Sequence, residues 1–230
     1  RDYYVFPRIQ SEERISGNNR EFTNHDTFID EILNKKKIII TGGYNSGKTL
    51  LLKALMLQLL QRNYIVLFCD IDNIRGKKAE RIIRNCFEDI YGDKESDYKR
   101  YEQIPKERKV LIIDDFDQIK SSSLDMFMSQ IGEKFEYFIF SSKELIDVSL
   151  LERTKAQLKA VDSIYRYKIM PLYADKRQEL IERVVKIKAT DPSSVAKISK
   201  ILTEAITAQR RFINLDPDFI IKYVEYYCNN

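Results

Sequence analysis

The chain has no tryptophan, one histidine, three cysteines and seven glycines in 230 residues. Cys69, Cys86 and Cys228 form no C-x-x-C pair and each falls in a strand or helix pattern, so the sequence predicts reduced, buried thiols in a cytoplasmic protein. The lone histidine, His25, stands at a predicted helix start, where a capping or solvent-facing role is favoured over catalysis. No apolar run reaches membrane-spanning length and no secretory signal is present, so no membrane partner is expected. The net charge of +4 is mild and does not by itself call for nucleic acid. Internal repeats and low-complexity segments are missing too. What remains, 43% hydrophobic and 32% charged residues, suits one α/β domain with a modest appendage, or two small domains. Arg1 rather than methionine opens the chain, which reads as a piece of a longer one.

The few glycines are concentrated. Gly42, Gly43 and Gly47 all lie in the stretch Lys-Lys-Ile-Ile-Ile-Thr-Gly-Gly-Tyr-Asn-Ser-Gly-Lys-Thr at 36–49. Ile38, Ile39 and Ile40 predict a strand, and a leucine-rich helical pattern follows Thr49 at once. Strand, glycine loop and helix together make G-x-x-x-x-G-K-[ST] a phosphate-binding loop. Glycines let successive backbone N–H groups curl around phosphates, and the helix N-terminus adds unpaired donors with partial positive charge. Lys48 is placed to reach β and γ phosphates, and the Thr49 hydroxyl to ligate Mg²⁺. The candidate nucleotide-binding residues are therefore Gly42, Gly43, Tyr44, Asn45, Ser46, Gly47, Lys48, Thr49 and Leu50.

Period and punctuation predict the other elements. Asn24 or Asp26 caps a short helix carrying Phe28, Ile29, Ile32 and Leu33. The loop strand spans 36–40, and its helix, 48–61, has leucines on nearly every side, as a helix buried among neighbours would. A second strand covers 64–70, and a helix covers 77–91 with Ile82, Ile83, Cys86, Phe87 and Ile90 on its core face. Residues 92–108 are charged and weakly patterned. Their basic cluster, Lys99, Arg100, Lys106, Arg108 and Lys109, reads as solvated surface ahead of a nucleic-acid groove. Val110 to Ile113 form a buried strand ending in Asp114-Asp115-Phe116-Asp117. Ligands of open α/β sheets bind outside the carboxyl ends of the strands, so Asp114 is expected beside the phosphate loop as the metal-side carboxylate, with Asp115 or Asp117 orienting the attacking water. Helix patterns follow at 122–135 and from about Leu145 to Leu158. They flank a strand at 137–140 that ends in Ser141-Ser142-Lys143, polar groups that face the nucleotide or cap the next helix. A last strand runs over 165–170. Beyond Pro171 only helices are predicted, at 174–188, 192–209 and 217–228, with Asp191-Pro192 and Asp216-Pro217 as start signals.

One strand–helix unit separates the loop strand from the Asp114 strand, and that arrangement resembles the ASCE division of P-loop NTPases. The motifs at 39–49, 111–117, 139–143 and 167–172, leading into a helical tail, are similar to those of the STAND class, relatives of NACHT and AAA+ proteins. The resemblance covers residues 22–230. It implies an α/β three-layer sandwich with a five-stranded parallel sheet, order 5-1-4-3-2, then a small all-helical lid. The domains would be an N-terminal segment at 1–34, the core at 35–171 and the lid at 172–230. It further implies ATP or ADP with Mg²⁺ between core and lid, and adenine near backbone 15–24. Lys48, Asp114, Asp115, Asp117, Ser141 and Ser142 would be the catalytic group, Thr49 and Asp114 the metal ligands, and Lys143 and Pro217 further nucleotide contacts. Leu215-Asp216 replaces their usual Gly-Leu before the lid proline, and Gln118 stands where such proteins often carry glutamate, the absence of which makes slow hydrolysis the expectation. The implied role is a regulatory ATP switch and self-association module of a larger signalling protein, with antiviral defence as the family association. The alternative is an AAA+ loader or motor on DNA, with the basic cluster or Arg210-Arg211 facing nucleic acid.

Overall fold

A computed structural model describes residues 3–12, 20–70, 78–118, 128–143, 154, 156, 164–188, 192–209 and 215–229. Strands β1 (Ile9–Ser11) and β2 (Glu21–Phe22) precede helix α1 (His25–Lys35), and then β3 (Lys37–Thr41), α2 (Lys48–Gln61) and β4 (Ile65–Cys69) follow. Next come α3 (Ala79–Tyr91), α4 (Glu95–Gln103), β5 (Lys109–Ile113), β6 (Tyr137–Ser142) and β7 (Tyr165–Ile169). Helices α5 (Ala174–Lys188), α6 (Val195–Gln209) and α7 (Pro217–Asn229) close the chain.

The sheet order is β2-β1-β7-β3-β6-β5-β4. Its five parallel strands run β7-β3-β6-β5-β4, which is the expected 5-1-4-3-2. Among the described residues the sheet has seven strands, not five. β1 pairs antiparallel with β7 (Ile9 opposite Ile169), and β2 pairs with β1. Those strands are three and two residues long, too short to carry an alternation legible in the sequence.

Alternation along the parallel strands sorts the core into two layers. Ile38, Ile40, Val66, Val110, Ile112 and Ile139 pack beneath α1 and α2, against Phe28, Ile32, Leu51, Leu55 and Leu59. Ile39, Leu67, Leu111, Ile113, Phe138 and Phe140 point the other way, against Ile82, Ile83, Phe87 and Tyr101. Helices on both faces are what permit strands this apolar. Helix α2 is less enclosed than its leucines predict, since Leu50 and Leu57 are each 41% exposed.

Two features depart from the sequence reading. Helix α4 occupies part of the stretch without pattern; of its residues only Tyr101 is buried, so aromatic contacts with Phe87 and Tyr98 replace a periodic stripe. Cys69 and Cys86, expected reduced, are joined, with Cα atoms 5.9 Å apart. They lie 17 residues apart in sequence, and α3 folding back over β4 closes that gap. Cys228 is free.

Helices α5, α6 and α7 build a separate apolar cluster from Leu180, Ile181, Val184, Leu202, Ile206, Ile220 and Val224, joined by Val5 of the N-terminal segment. Most of the predicted helix at 145–158, Asp191 and Arg210-Arg211 lie outside the described residues, as do residues 122–127 of the helix at 122–135. Among the described residues no helix is long and apolar enough to cross a membrane.

Candidate functional site

All the parallel strands end on one edge, and the predicted polar motifs converge there. After Thr41 the chain turns through residues 42–47 into α2, with Asn45 at φ 54° and Gly47 at φ 87°. Gly47 is required because a side chain is strained at that φ. At Gly42 a Cβ would sit 2.6 Å from Ser46 Oγ, so that hydroxyl would have to turn away. Leu51 N–H bonds back to Gly47 O at 2.9 Å, which starts the helix directly behind the loop.

Below the loop, Thr49 Oγ1 donates to Asp114 Oδ2 at 2.6 Å, while Ser141 Oγ donates to Asp114 Oδ1. The backbone N–H of Asp115 also reaches Asp114 Oδ1, at 3.1 Å, and Ser141 Oγ at 2.9 Å. Asp114 is only 7% exposed, and its own N–H is held by Cys69 O at 3.0 Å. The carboxylate is thus fixed by the tips of β4, β5 and β6 and by α2. Asp115 takes a left-handed backbone, φ 49°, and lines the cleft above the loop. Burial raises its pKa from the ordinary carboxylate value; Asp114 and Asp117 add to this, while Lys48 and Lys143 oppose it.

Lys48 Nζ donates to Gly42 O and Gly43 O, both at 3.0 Å, folding over its own loop. Ser142 differs from its neighbour Ser141. Along β6 it follows Phe138 and Phe140 onto the α3 side of the sheet, and its Oγ is buried without a partner. Asp117 turns to β6 instead, accepting from Lys143 N at 3.2 Å.

The cleft extends away from the core. A cavity of about 1210 Å³ is lined by loop residues 42–50, Asp115, Gln118 and Lys143, and from α7 by Pro217, Asp218 and Ile221. It adjoins a second cavity of about 420 Å³. Tyr3, Tyr4, Val5 and Pro7 form one wall of this second cavity, with Leu50, Met170, Leu172, Leu215 and Pro217 around the rest. Tyr44, 88% exposed, lies at the mouth of both. The described residues of 15–24, a stretch expected near the adenine, line neither cavity; Tyr3, Tyr4, Val5 and Pro7 line the second, because β1 carries that segment alongside β7. No sequence motif marks that segment. Its aromatic run, Tyr3, Tyr4 and Phe6, was the one available signal.

Three solved structures share this architecture. DnaA from Aquifex aeolicus bound to AMPPCP superposes with TM-score 0.50 at 18% identity, over 87% of this chain and 60% of that one. Drosophila ORC bound to AT-rich DNA and Cdc6 gives 0.52 at 12%, over 89% and 37%. Hsp104 with ATPγS and casein, in its closed state, gives 0.53 at 12%, again over 89% and 37%. The fold is that of an ASCE P-loop NTPase. This chain spans less than two thirds of each of those proteins. No protein family of known sequence pattern matches it, and neither does any curated protein.

The oxygen set around Asp114 fits a hard divalent cation. Thr49 Oγ1 and Asp114 Oδ2 already converge, and the open space around Gly43 and Gly47 leaves room for phosphate oxygens. Among the described residues no three His, Cys, Asp or Glu side chains gather around a metal-sized gap, so water and phosphate would supply the remaining ligands.

The basic cluster sits elsewhere. Lys106 and Arg108 precede β5, at the sheet edge opposite the loop. Lys106 pairs with Glu136 at 3.3 Å, Arg100 with Asp97 at 3.7 Å, and Arg108 is bound to Asn63 O. Lys109 lies over the Tyr101 ring at 4.4 Å.

Proposed function

We propose that the chain is an ATP-binding, slowly hydrolysing switch and self-association module of a larger STAND-type signalling protein. The observation that carries this reading is the wall structure of the phosphate cleft: the loop at 42–50 forms one side and α7 of the helical trio the other. A nucleotide seated there contacts both bodies, so exchanging ADP for ATP shifts their relative arrangement by its differential contacts. In this reading the phosphates lie on the 42–47 backbone and the α2 N-terminus, Lys48 leaves its loop carbonyls for the β and γ oxygens, and the base enters the apolar cavity beside Tyr4 and Leu50. Thr49 and Asp114 would hold Mg²⁺, which neutralises charge on the phosphates when bound. Ser141 keeps Asp114 oriented. Asp115, at the cleft wall and one methylene shorter than glutamate, is a carboxylate for the attacking water, consistent with slow turnover. The helical trio is the lid. Residues 1–34, 35–171 and 172–230 are then the entry segment, core and lid, in a cytoplasmic setting; the defence association rests on the family resemblance alone.

A second reading is an AAA+ ATPase acting on DNA. Two of the similar structures are of DnaA and of ORC bound to DNA, which supports this reading at least as well as the first. The paired state of the basic cluster, remote from the cleft, tells against that particular surface as the DNA contact. Turnover separates the two. The switch reading expects hydrolysis below about 1 s⁻¹, unchanged by DNA. Stimulation by DNA, or salt-sensitive DNA binding, would reject it in favour of the second. Fast turnover that survives Asp114→Asn would reject the site assignment under both.

A further inference from the structure

Lys109 is the one member of the basic cluster that is buried. It opens β5 at the sheet edge opposite the phosphate loop and is only 6% exposed. A lysine at such a position normally carries its ammonium past apolar surface into bulk water. Here the head stops short. It lies 4.4 Å from the Tyr101 ring centroid and donates to Glu102 O at 3.4 Å, a long bond. An ammonium has three hydrogens to place, so that single contact leaves donors over. Burial holds the Lys109 pKa below the ordinary lysine value, opposed by Glu102 and reinforced by Lys134. Neither Lys109 nor Lys134 is paired with a carboxylate among the described residues.

Both lysines line a cavity of about 340 Å³. Its apolar wall is Ile83 of α3, Tyr98 and Tyr101 of α4, and Ile104. The Tyr98 and Tyr101 rings brace each other, with centroids 5.7 Å apart, and both pack on Phe87. Glu102, Glu133 and Lys106 complete the lining; all three are exposed, and Lys106 is engaged by Glu136 at 3.3 Å. The geometry points to a second ligand site, independent of the nucleotide cleft, in which Lys109 and Lys134 take the carboxylate or phosphate head of a small organic anion while Ile83, Ile104 and Tyr98 hold its apolar body. The volume and the mix of apolar wall with few convergent polar groups are those of a small-molecule pocket. A bound anion would give the Lys109 donors charge-assisted partners in a site partly withdrawn from water, where such bonds are strongest. Nucleic acid fits less well, because its phosphates run along a surface and the Lys109 head lies beneath one. The site also gives α4 a use: its tyrosines build the wall.

The test titrates the chain with benzoate and, with ADP and Mg²⁺ present to occupy the phosphate loop, with phenyl phosphate; benzyl alcohol is the neutral control. The better anion should bind with a Kd of about 1 mM, ordinary for so small a ligand, and should shift the Tyr98 and Tyr101 ring resonances. Whichever anion binds more tightly identifies the head group. Benzyl alcohol should bind about tenfold more weakly, lacking the charged bond. Lys109→Met, which keeps the apolar stem, should weaken anion binding about tenfold and leave ADP affinity unchanged. Lys134→Gln should weaken it about two- to fivefold, since that side chain is exposed, and Lys99→Gln, outside the cavity, should change nothing. Anion affinity unmoved by both Lys109→Met and Lys134→Gln would overturn the proposal, as would benzyl alcohol binding equally well. So would failure of both anions to bind at ten times the expected Kd. Displacement of benzoate by a DNA duplex, lost in Lys109→Met, would overturn it in favour of a nucleic-acid contact. Lys134→Gln alters only an exposed side chain, so it decides the matter even where Lys109→Met lowers the melting temperature.

Discussion

The core and the helical trio are built on the same principle, apolar faces buried against one another, but they hold their polar groups in different ways. In the core, Asp114 is fully engaged before any ligand arrives, by Thr49, Ser141 and the Asp115 N–H. In the trio, charges sit in i, i+3 and i, i+4 pairs at the surface, such as Lys176–Glu179, Arg183–Glu179 and Lys222–Asp218. Ile187, Ile201, Tyr226 and Tyr227 remain exposed there. Several polar links run from the trio to the N-terminal segment rather than to the sheet: Arg183 to Tyr4 O, Asp175 to Arg8 at 2.9 Å, and Glu225 to Tyr3 Oη at 3.2 Å. One half thus has its acidic site hydrogen-bonded in place, and the other is tied on through residues 3–8, which the proposed clamp would use.

The comparison breaks first on stability. Ile39→Ala or Ile112→Ala, both fully buried in the sheet, should cost about 2–5 kcal/mol and lower the melting temperature of the whole chain. Val224→Ala, fully buried in the trio, removes less side chain and should cost less, with native-state hydrogen exchange accelerated mainly in α5–α7. Equal acceleration of sheet amides in Val224→Ala would mean the two halves are one cooperative unit. Next in size, Lys48→Ala should weaken nucleotide binding about a hundredfold while leaving the melting temperature of the free protein nearly unchanged. Preserved affinity would remove the phosphate loop from the site.

Smaller again is the strap. Arg183→Ala loses a bond to Tyr4 O and an exposed pair with Glu179, so it should cost no more than about 1 kcal/mol. It should nonetheless speed exchange in the trio while sparing β3–β6. The smallest effect is a pH dependence at the strap's core side. His25 packs against the rings of Tyr4 and Phe6, with centroids 5.4 and 4.5 Å away, and burial lowers its pKa from the ordinary 6.5. Protonation therefore favours the unfolded chain. This contribution is present above about pH 6.5 and is lost as pH falls below it. Urea midpoints at pH 7.5 and 5.5 should converge in His25→Gln relative to the wild type; an identical pH response in both would show that the imidazole contributes nothing.

Strong local signals were legible at once. Helix α2 (Lys48–Gln61) and helix α5 (Ala174–Lys188) begin and end where period and punctuation put them, because capping and apolar spacing are properties of consecutive residues. Helix α4, Glu-Ser-Asp-Tyr-Lys-Arg-Tyr-Glu-Gln, carries no such stripe and was unreadable. The strands β1 and β2 were invisible for a different reason. Short antiparallel edges exist because β7 offers unpaired backbone groups, and sequence alone does not display a distant hydrogen-bonding partner.

The sequence by itself determined the glycine loop, the acidic strand tip and the alternation that buries both faces of the sheet; the order of the parallel strands came only with the family resemblance. Each follows from neighbours in the chain: glycine permits the turn, β-branched runs make the strands, and polar residues end them. Tertiary structure decided which of the adjacent polar residues share a site. It set Ser141 on Asp114 and left Ser142 on the opposite face, turned Asp115 into the cleft and Asp117 onto Lys143, brought Tyr3–Pro7 to the apolar cavity, and joined Cys69 to Cys86. Those outcomes depend on the pleat, on one left-handed residue and on how a helix folds back over its strand, and none of these is written in the spacing of residues along the chain.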